Sequence, residues 1–379
     1  MDMLKKEYQQ MLRTAKRIVV KVGTSSLTDQ QGKIDSQKIS KLTRQIAELS
    51  QEGKQMILVT SGAVGAGLGK LGLGQKPTSI PQTQALAAIG QGILMQNYEK
   101  LFHKYDLTVA QILLTKDDFS QRERYLNARN TILALMDYQV IPIINENDTI
   151  AVEEIRFGDN DTLASLVSGL LSADLLIILS DVKGFYTNDP QADPLAQLIP
   201  VIEDLTDEII ASAGDAGSKF ASGGMVTKLQ AAAIANAQGI PMVLAKSDEP
   251  QILKQISSGA CPGTLFLPND HPLGGKKGWL AFGSQPEGKL FLDNGAQKAL
   301  VENGSSLLAT GIIKVEGDFL RGAVVSIIGN NMEIARGISN YSSQDIELIM
   351  GQHSSKIKEL LKHAHDMEVV HRDHLSLTI

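Results

Sequence analysis

Cysteine is almost absent. Cys261 stands alone in 379 residues, which excludes an internal disulfide. No apolar run approaches the roughly 20 residues needed to span a bilayer. Residues 1–17 are charged and carry no apolar stretch of the about 7–15 residues that marks a secretory signal. Basic charge is not in excess either: 36 Lys and Arg face 42 Asp and Glu, a formal net charge of −6. Nothing global therefore draws the chain to nucleic acid or anionic lipid, and an anionic ligand has to be held by local groups. The expected compartment is the cytoplasm, with no membrane association.

What is present is ordinary for a globular protein, with 43% hydrophobic residues in a chain long enough for two domains. Short β-branched runs at 17–22, 55–60, 108–114, 140–145, 175–179 and 240–245 predict strands. They alternate with helical periodicity at 36–51, 82–103, 125–137, 162–171 and 225–238. Such alternation implies a mostly parallel sheet sandwiched by helices, with ligands beyond the carboxyl ends of the strands. Turn-formers around 268–277 mark a boundary. Beyond it the runs 279–282, 289–292, 312–316 and 324–328 predict a small β-rich domain, giving domains at 1–268 and 278–379.

The segment Ser222-Gly223-Gly224-Met225-Val226-Thr227-Lys228, followed by an alanine-rich helix, has the make-up of a phosphate site. Glycines let the backbone approach an anion, the first amides of a helix are unpaired donors, and Lys228 adds a full charge. Alone, the same segment is equally an ordinary helix entry. Lys21 lies inside an apolar strand ending in Gly23-Thr24-Ser25, where it must either snorkel to water or meet an anion.

Three more loops follow strands. Thr60-Ser61-Gly62-Ala63 presents a hydroxyl and glycines suited to a phosphate or carboxylate. The nearby Gly67-Leu68-Gly69 to Gly72 run lies too far past its strand to be a dinucleotide fingerprint. Asn145-Glu146-Asn147-Asp148 and Gly158-Asp159-Asn160-Asp161 place two Asx clusters in one connection, more than a turn requires. Their carboxylates suit an ammonium, their amides a carboxylate, and an aspartate between two lysines would keep both charged. The spacing does not match an EF-hand loop. Ser180-Asp181 opens the third loop and suits a ribose or base edge, or a plain strand-end turn. Met11, Met56, Met95 and Met350 read as core fillers, the residues before Lys16 as a surface segment, and the tail with His363, His365, His371 and His374 as solvated rather than metal-binding.

Taken together, the segments at 20–25, 59–63, 144–148, 158–161, 179–186 and 222–228 resemble the amino-acid kinase family over nearly the whole chain, in its glutamate-phosphorylating branch. The later residues, with Gly304-Ser305-Ser306-Leu307-Leu308 and Arg321-Gly322, resemble a PUA domain. Serine stands at 180 and 222 where many members have threonine, and the hydroxyl is kept. The resemblance implies transfer of the ATP γ-phosphoryl group to the side-chain carboxylate of L-glutamate, the first step towards proline. It assigns Lys21 and Lys228 to the phosphates with Asp161 as orienter, and Ser61, Asp148 and Asn160 to glutamate. Ser180, Asp181 and the 222–228 loop (Ser222, Gly223, Gly224, Met225, Val226, Thr227, Lys228), with Lys21, go to ATP. Gly23, Thr24, Gly62, Gly223 and Gly224 would supply backbone donors. Mg²⁺ is expected to arrive on ATP rather than in a protein metal site.

The resemblance further implies a dimer or tetramer, feedback by proline and coupling to a glutamyl-phosphate reductase. The competing readings are another kinase, of aspartate, acetylglutamate or a nucleotide, and an RNA-binding protein. Residues 276–379 hold 11 Lys and Arg against 12 Asp and Glu, which argues against strong RNA binding.

Overall fold

In the computed structural model the described residues are 4–29, 33–74, 77–151, 160–190, 193–206, 209, 224–269, 272–361 and 366–378. They fall into two compact units. One comprises Met1–Asp118 and Glu123–Pro272, the other Phe119–Arg122 and Leu273–Ile379.

The first unit is built on an eight-stranded sheet. In chain order the strands are β1 (Arg17–Val22), β2 (Gln55–Val59), β3 (Val109–Leu114), β4 (Ile141–Glu146), β5 (Leu175–Ser180), β6 (Val201–Ile202), β7 (Met242–Lys246) and β8 (Thr264–Phe266). Their order across the sheet is β3-β4-β2-β1-β5-β7-β8-β6, and every pair from β3 to β7 is parallel. β8 runs antiparallel to β7. Strands β1 and β5 are buried almost throughout, as expected of continuous apolar runs covered by helices on both faces. β1 is the switch point: the chain goes to one side for β2, β3 and β4, then crosses back to build β5 and β7 on the other. Crevices at such a point open above the strands' carboxyl ends.

Two differences from the sequence expectation in this unit have physical causes. Residues 63–71 form a helix, α3 (Ala63–Leu71), despite their glycines. The glycines serve a close crossing with α4 (Ile80–Phe102): a Cβ on Gly90 would lie 1.7 Å from the Ala63 carbonyl oxygen, and one on Gly67 2.1 Å from that of Leu86. The residues before Lys16 are not a surface segment. They form α1 (Lys6–Thr14), which buries Leu12 completely and lays Tyr8 and Met11 on the core, a helical spacing of three and four. Of the methionines read as core fillers, Met56 is buried, while Met11, Met95 and Met350 pack half-buried against the cores.

The second unit carries a separate five-stranded sheet. Its strands are β9 (Gly288–Leu292), β10 (Ile312–Glu316), β11 (Val324–Gly329), β12 (Met332–Ile338) and β13 (Leu375–Leu377), in the order β10-β9-β11-β12-β13. The predicted strand at 279–282 is instead helical, over Trp279–Gly283, and the Trp279 Nε1–H donates to the Phe119 carbonyl oxygen at 2.6 Å. The tail is not solvated where it is described: Val369 and Val370 are fully buried and β13 pairs antiparallel with β12. His371 flanks and His374 ends the turn before β13, whereas His363 and His365 lie outside the described residues.

Candidate active site

Lys21 is the next-to-last residue of β1 and only 4% exposed, a position that is tolerable only with a counter-charge. The counter-charge comes from topology. The helix α7 (Asn160–Leu171) links β4 to β5, so it has to cross β1, and its first turn reaches the end of that strand. Asp161, in that turn and fully buried, is ion-paired with both lysines: Lys21 Nζ lies 2.5 Å from Oδ1, and Lys228 Nζ donates to Oδ2 at 3.1 Å.

Lys228 belongs to α8 (Gly224–Ala237), whose alanines let it pack closely on α7. Ala231, Ala232 and Ala235 are fully buried, and Ser165 Oγ–H donates to the Ala231 carbonyl oxygen at 2.8 Å. Lys228 Nζ also donates to the Gly224 carbonyl oxygen at 3.0 Å, while the Thr227 hydroxyl sits 3.4 Å from Asp161 Oδ2. Two ammonium groups share one carboxylate, so this buried cluster carries one net positive charge. Such a cluster favours an anion at its open side.

One residue earlier the chemistry changes from charges to amides. Asn160 Nδ2 faces the Thr60 carbonyl oxygen at 2.6 Å, Ser61 Oγ at 2.9 Å and Asn145 Oδ1 at 2.9 Å. Asn145 Nδ2 donates to Gln91 Oε1 at 2.9 Å, and Gln91 Nε2 donates to Gln111 Oε1 at 3.1 Å. On the far side of Thr60, its hydroxyl and the Tyr98 phenol share a bond of 2.8 Å. Burial holds that phenol well above the usual tyrosine range. Ser61 is followed by Gly62 at φ 96°, a left-handed turn that starts α3 directly after β2 and leaves the first amides of α3 beside Ser61.

Of the residues expected at a site, the structure brings Lys21, Asp161 and Lys228 into one cluster and Asn160 and Ser61 into another, one residue away along α7. Gly23 and Thr24 form the turn after β1, and Asp148 lies half-buried in the turn after β4. Ser180 and Asp181 sit at the end of β5, where the Ser180 hydroxyl donates to Asp181 Oδ1 at 2.9 Å. Gly224, Met225, Val226 and Thr227 form the first turn of α8; Ser222 and Gly223 lie outside the described residues. Asn145 belongs to an Asx cluster that the sequence singles out, whereas nothing in the sequence reading points to Gln91 or Tyr98. An amide on a helix that is otherwise apolar over residues 86–95 was the available signal at Gln91.

Two lysines bridged by a buried aspartate at the switch point suit an anion-handling α/β enzyme, and residues 16–246 match the model of the amino acid kinase family while 288–361 match the PUA domain. The chain belongs to the amino acid kinase family. Among its relatives are a glutamate 5-kinase of Caldanaerobacter subterraneus subsp. tengcongensis, 51% identical over 95% of this chain and 97% of that one, and a glutamate 5-kinase of Moorella thermoacetica, 47% identical over 98% and 99%. A carbamate kinase of Giardia lamblia solved with AMP-PNP shares the fold at 18% identity and a TM-score of 0.52, over 68% of this chain and all of that one.

Proposed function

We propose that this chain phosphorylates the side-chain carboxylate of L-glutamate with ATP, yielding glutamyl 5-phosphate and ADP. The observation that carries the chemistry is Asp161 held between Lys21 at 2.5 Å and Lys228 at 3.1 Å. The acceptor rests on the glutamate 5-kinases to which the chain is similar over nearly its whole length.

The arrangement suits a reaction between two anions. A glutamate carboxylate, with a pKa of about 4.3, is already a nucleophile at pH 7 and needs no base. Asp161 is unsuited to act as one, because each of its oxygens is already ion-paired with an ammonium. Its work is orientation. The acceptor carboxylate attacks the γ-phosphorus, the bond to the β-phosphate oxygen breaks, and ADP leaves with the electron pair. Lys21 and Lys228 offset the charge spread over the transferring oxygens.

Ser61, Asp148 and Asn160 hold glutamate beside the amide network, while Ser180, Asp181 and the 222–228 loop hold the nucleotide. Magnesium fits as a companion of ATP, since the Asp161 oxygens face lysines rather than an open coordination site. When bound it neutralises phosphate charge. No helix among the described residues is long and apolar enough to cross a membrane. The cytoplasm, a homo-oligomeric state, inhibition by proline and hand-over of the labile acyl phosphate to a reductase complete the reading.

The test is ATP-dependent acyl-phosphate formation, trapped with hydroxylamine, across L-glutamate, L-aspartate, N-acetyl-L-glutamate and no acceptor, with and without Mg²⁺. Product with L-glutamate alone is the expected result, and product with another acid would overturn the acceptor. Glutamate saturation curves left unchanged by proline would remove the feedback assignment.

A further inference from the structure

The amide chain leading away from Asn160 has a direction, and two main-chain groups set it. The Thr60 carbonyl is an acceptor only, so the atom of Asn160 lying 2.6 Å from it must be the amide nitrogen. The Glu146 N–H is a donor only, so the atom of Asn145 lying 2.9 Å from it must be the carbonyl oxygen. That leaves Asn145 Nδ2 to donate to Gln91 Oε1, and Gln91 Nε2 to donate to Gln111 Oε1. No side-chain amide in the chain has a free choice of orientation while Gln91 is in place. Gln91 and Asn160 are each 9% exposed and Asn145 is 2% exposed, so water does not readily replace a lost partner.

The direction has a chemical consequence at the acceptor end. Asn160 Nδ2 carries two protons and already faces three protein acceptors, Thr60 O, Ser61 Oγ and Asn145 Oδ1. Its donors are spent. The group it has to offer a ligand is Oδ1, which accepts. An acceptor suits the α-ammonium of an amino acid and not its carboxylates.

We infer that Gln91 is a positioning residue: by receiving Asn145 Nδ2 it anchors the Asn145–Asn160 pair, whose direction the main chain sets, and so keeps the Asn160 carbonyl in place for an acceptor that carries an α-ammonium. This rests on the L-glutamate reading above. Without Gln91 Oε1, Asn145 Nδ2 loses its partner. The Glu146 N–H and the Thr60 carbonyl still set which way each amide faces, but a buried donor is left unpaired, so the Asn145–Asn160 pair shifts to find a partner and carries the Asn160 carbonyl off position. The phosphate end does not depend on this network, because Lys21, Asp161 and Lys228 bond among themselves.

The experiment is steady-state kinetics of the full chain with L-glutamate and with glutarate, the same diacid without the amine. The variants are Gln91→Met, which is of similar length without the acceptor, and Gln91→Glu, which keeps it. Gln91→Asn, polar but one methylene short, stands in if the Met variant does not fold. The expected result for Gln91→Met or Gln91→Asn is a KM for L-glutamate raised about tenfold, the size of one lost buried hydrogen bond. The preference for L-glutamate over glutarate should shrink by a similar factor, with kcat and the KM for ATP within about twofold of wild type. Gln91→Glu should restore both readouts. A glutamate KM unchanged in Gln91→Met or Gln91→Asn, or a KM for ATP rising in parallel with it, or a loss in Gln91→Glu equal to that in Gln91→Met, would overturn the assignment. Wild-type enzyme inert with L-glutamate would instead overturn the functional reading, and this inference with it.

Discussion

Asn160 and Asp161 are chain neighbours in the first turn of α7, yet the two ends of the site they serve are built on opposite principles. The phosphate end is ionic: three buried charges, two bonds, and one net positive charge left over. The proposed acceptor end is built on amides and hydroxyls linked from Ser61 through Asn160 and Asn145 to Gln91, with Asp148 the charge assigned beside them. Strong local fields are useful where phosphoryl charge moves, and they discriminate poorly among anions. Directed hydrogen bonds contribute less energy but tell a donor from an acceptor. Under the proposed function, one helix start separates rate from selectivity by a single residue.

The comparison breaks most sharply at the ionic end. Asp161→Asn leaves Lys21 and Lys228 buried without their shared partner. The expected outcome is a kcat lowered by about 10³-fold or more and a folded state weaker by about 3–5 kcal/mol in urea unfolding. Lys228→Ala should lose phosphoryl transfer to a similar degree while keeping a native circular dichroism spectrum; turnover at the wild-type rate would remove its central role. Next in size is Gly90→Ala, which forces a methyl to within 1.7 Å of the Ala63 carbonyl oxygen. A loss of about 1–3 kcal/mol is expected, with the glutamate KM rising more than the ATP KM because only the amide end is displaced.

Smaller still is Tyr98→Phe, which takes the partner from the Thr60 hydroxyl. About 1 kcal/mol of stability should go, with kinetics close to wild type if that bond belongs to the scaffold alone. The least effect is expected away from both ends, at Cys261. Burial pushes its thiol up from 9.0 to about 11. The unfolded thiol therefore ionises first, and stability falls as pH rises between those values. Cys261→Ala should flatten the melting temperature in that window, and a disulfide reagent at pH 8 should label the native thiol slowly.

The ionic end was far more legible in the sequence than the amide one, for a physical reason. A lysine inside an apolar strand is anomalous by itself, and it demands an anion wherever the fold puts it. Amides make no such demand. Gln91 stands out in an apolar helix stretch, but nothing in the sequence says what it bonds: Asn145, and Asn160 beyond it, lie on a strand and another helix that only the crossover brings together. The central strands were legible because they are buried on both faces and so read as continuous apolar runs. Residues 63–71 were not, since three glycines within Ala63–Leu71 lower helix propensity and the compensating contact with α4 is tertiary. The segment 279–282 failed for the opposite reason: a short apolar run with an aromatic fits strand or helix equally, and the Trp279 bond to Phe119 is remote in sequence.

The crossing of α3 and α4 at Gly67 and Gly90 bears on any attempt to retarget the enzyme by mutation. Ser61 stands two residues before α3 and Gln91 directly after Gly90, so both ends of the amide chain are tied to one seam where main chains touch. Glycine has no smaller replacement, and every substitution at the seam adds bulk. Saturation libraries at positions 67 and 90 therefore hold almost no useful variants. A search for acceptors longer or shorter than a five-carbon diacid is better spent on Asp148, proposed above to hold glutamate, in the turn after β4.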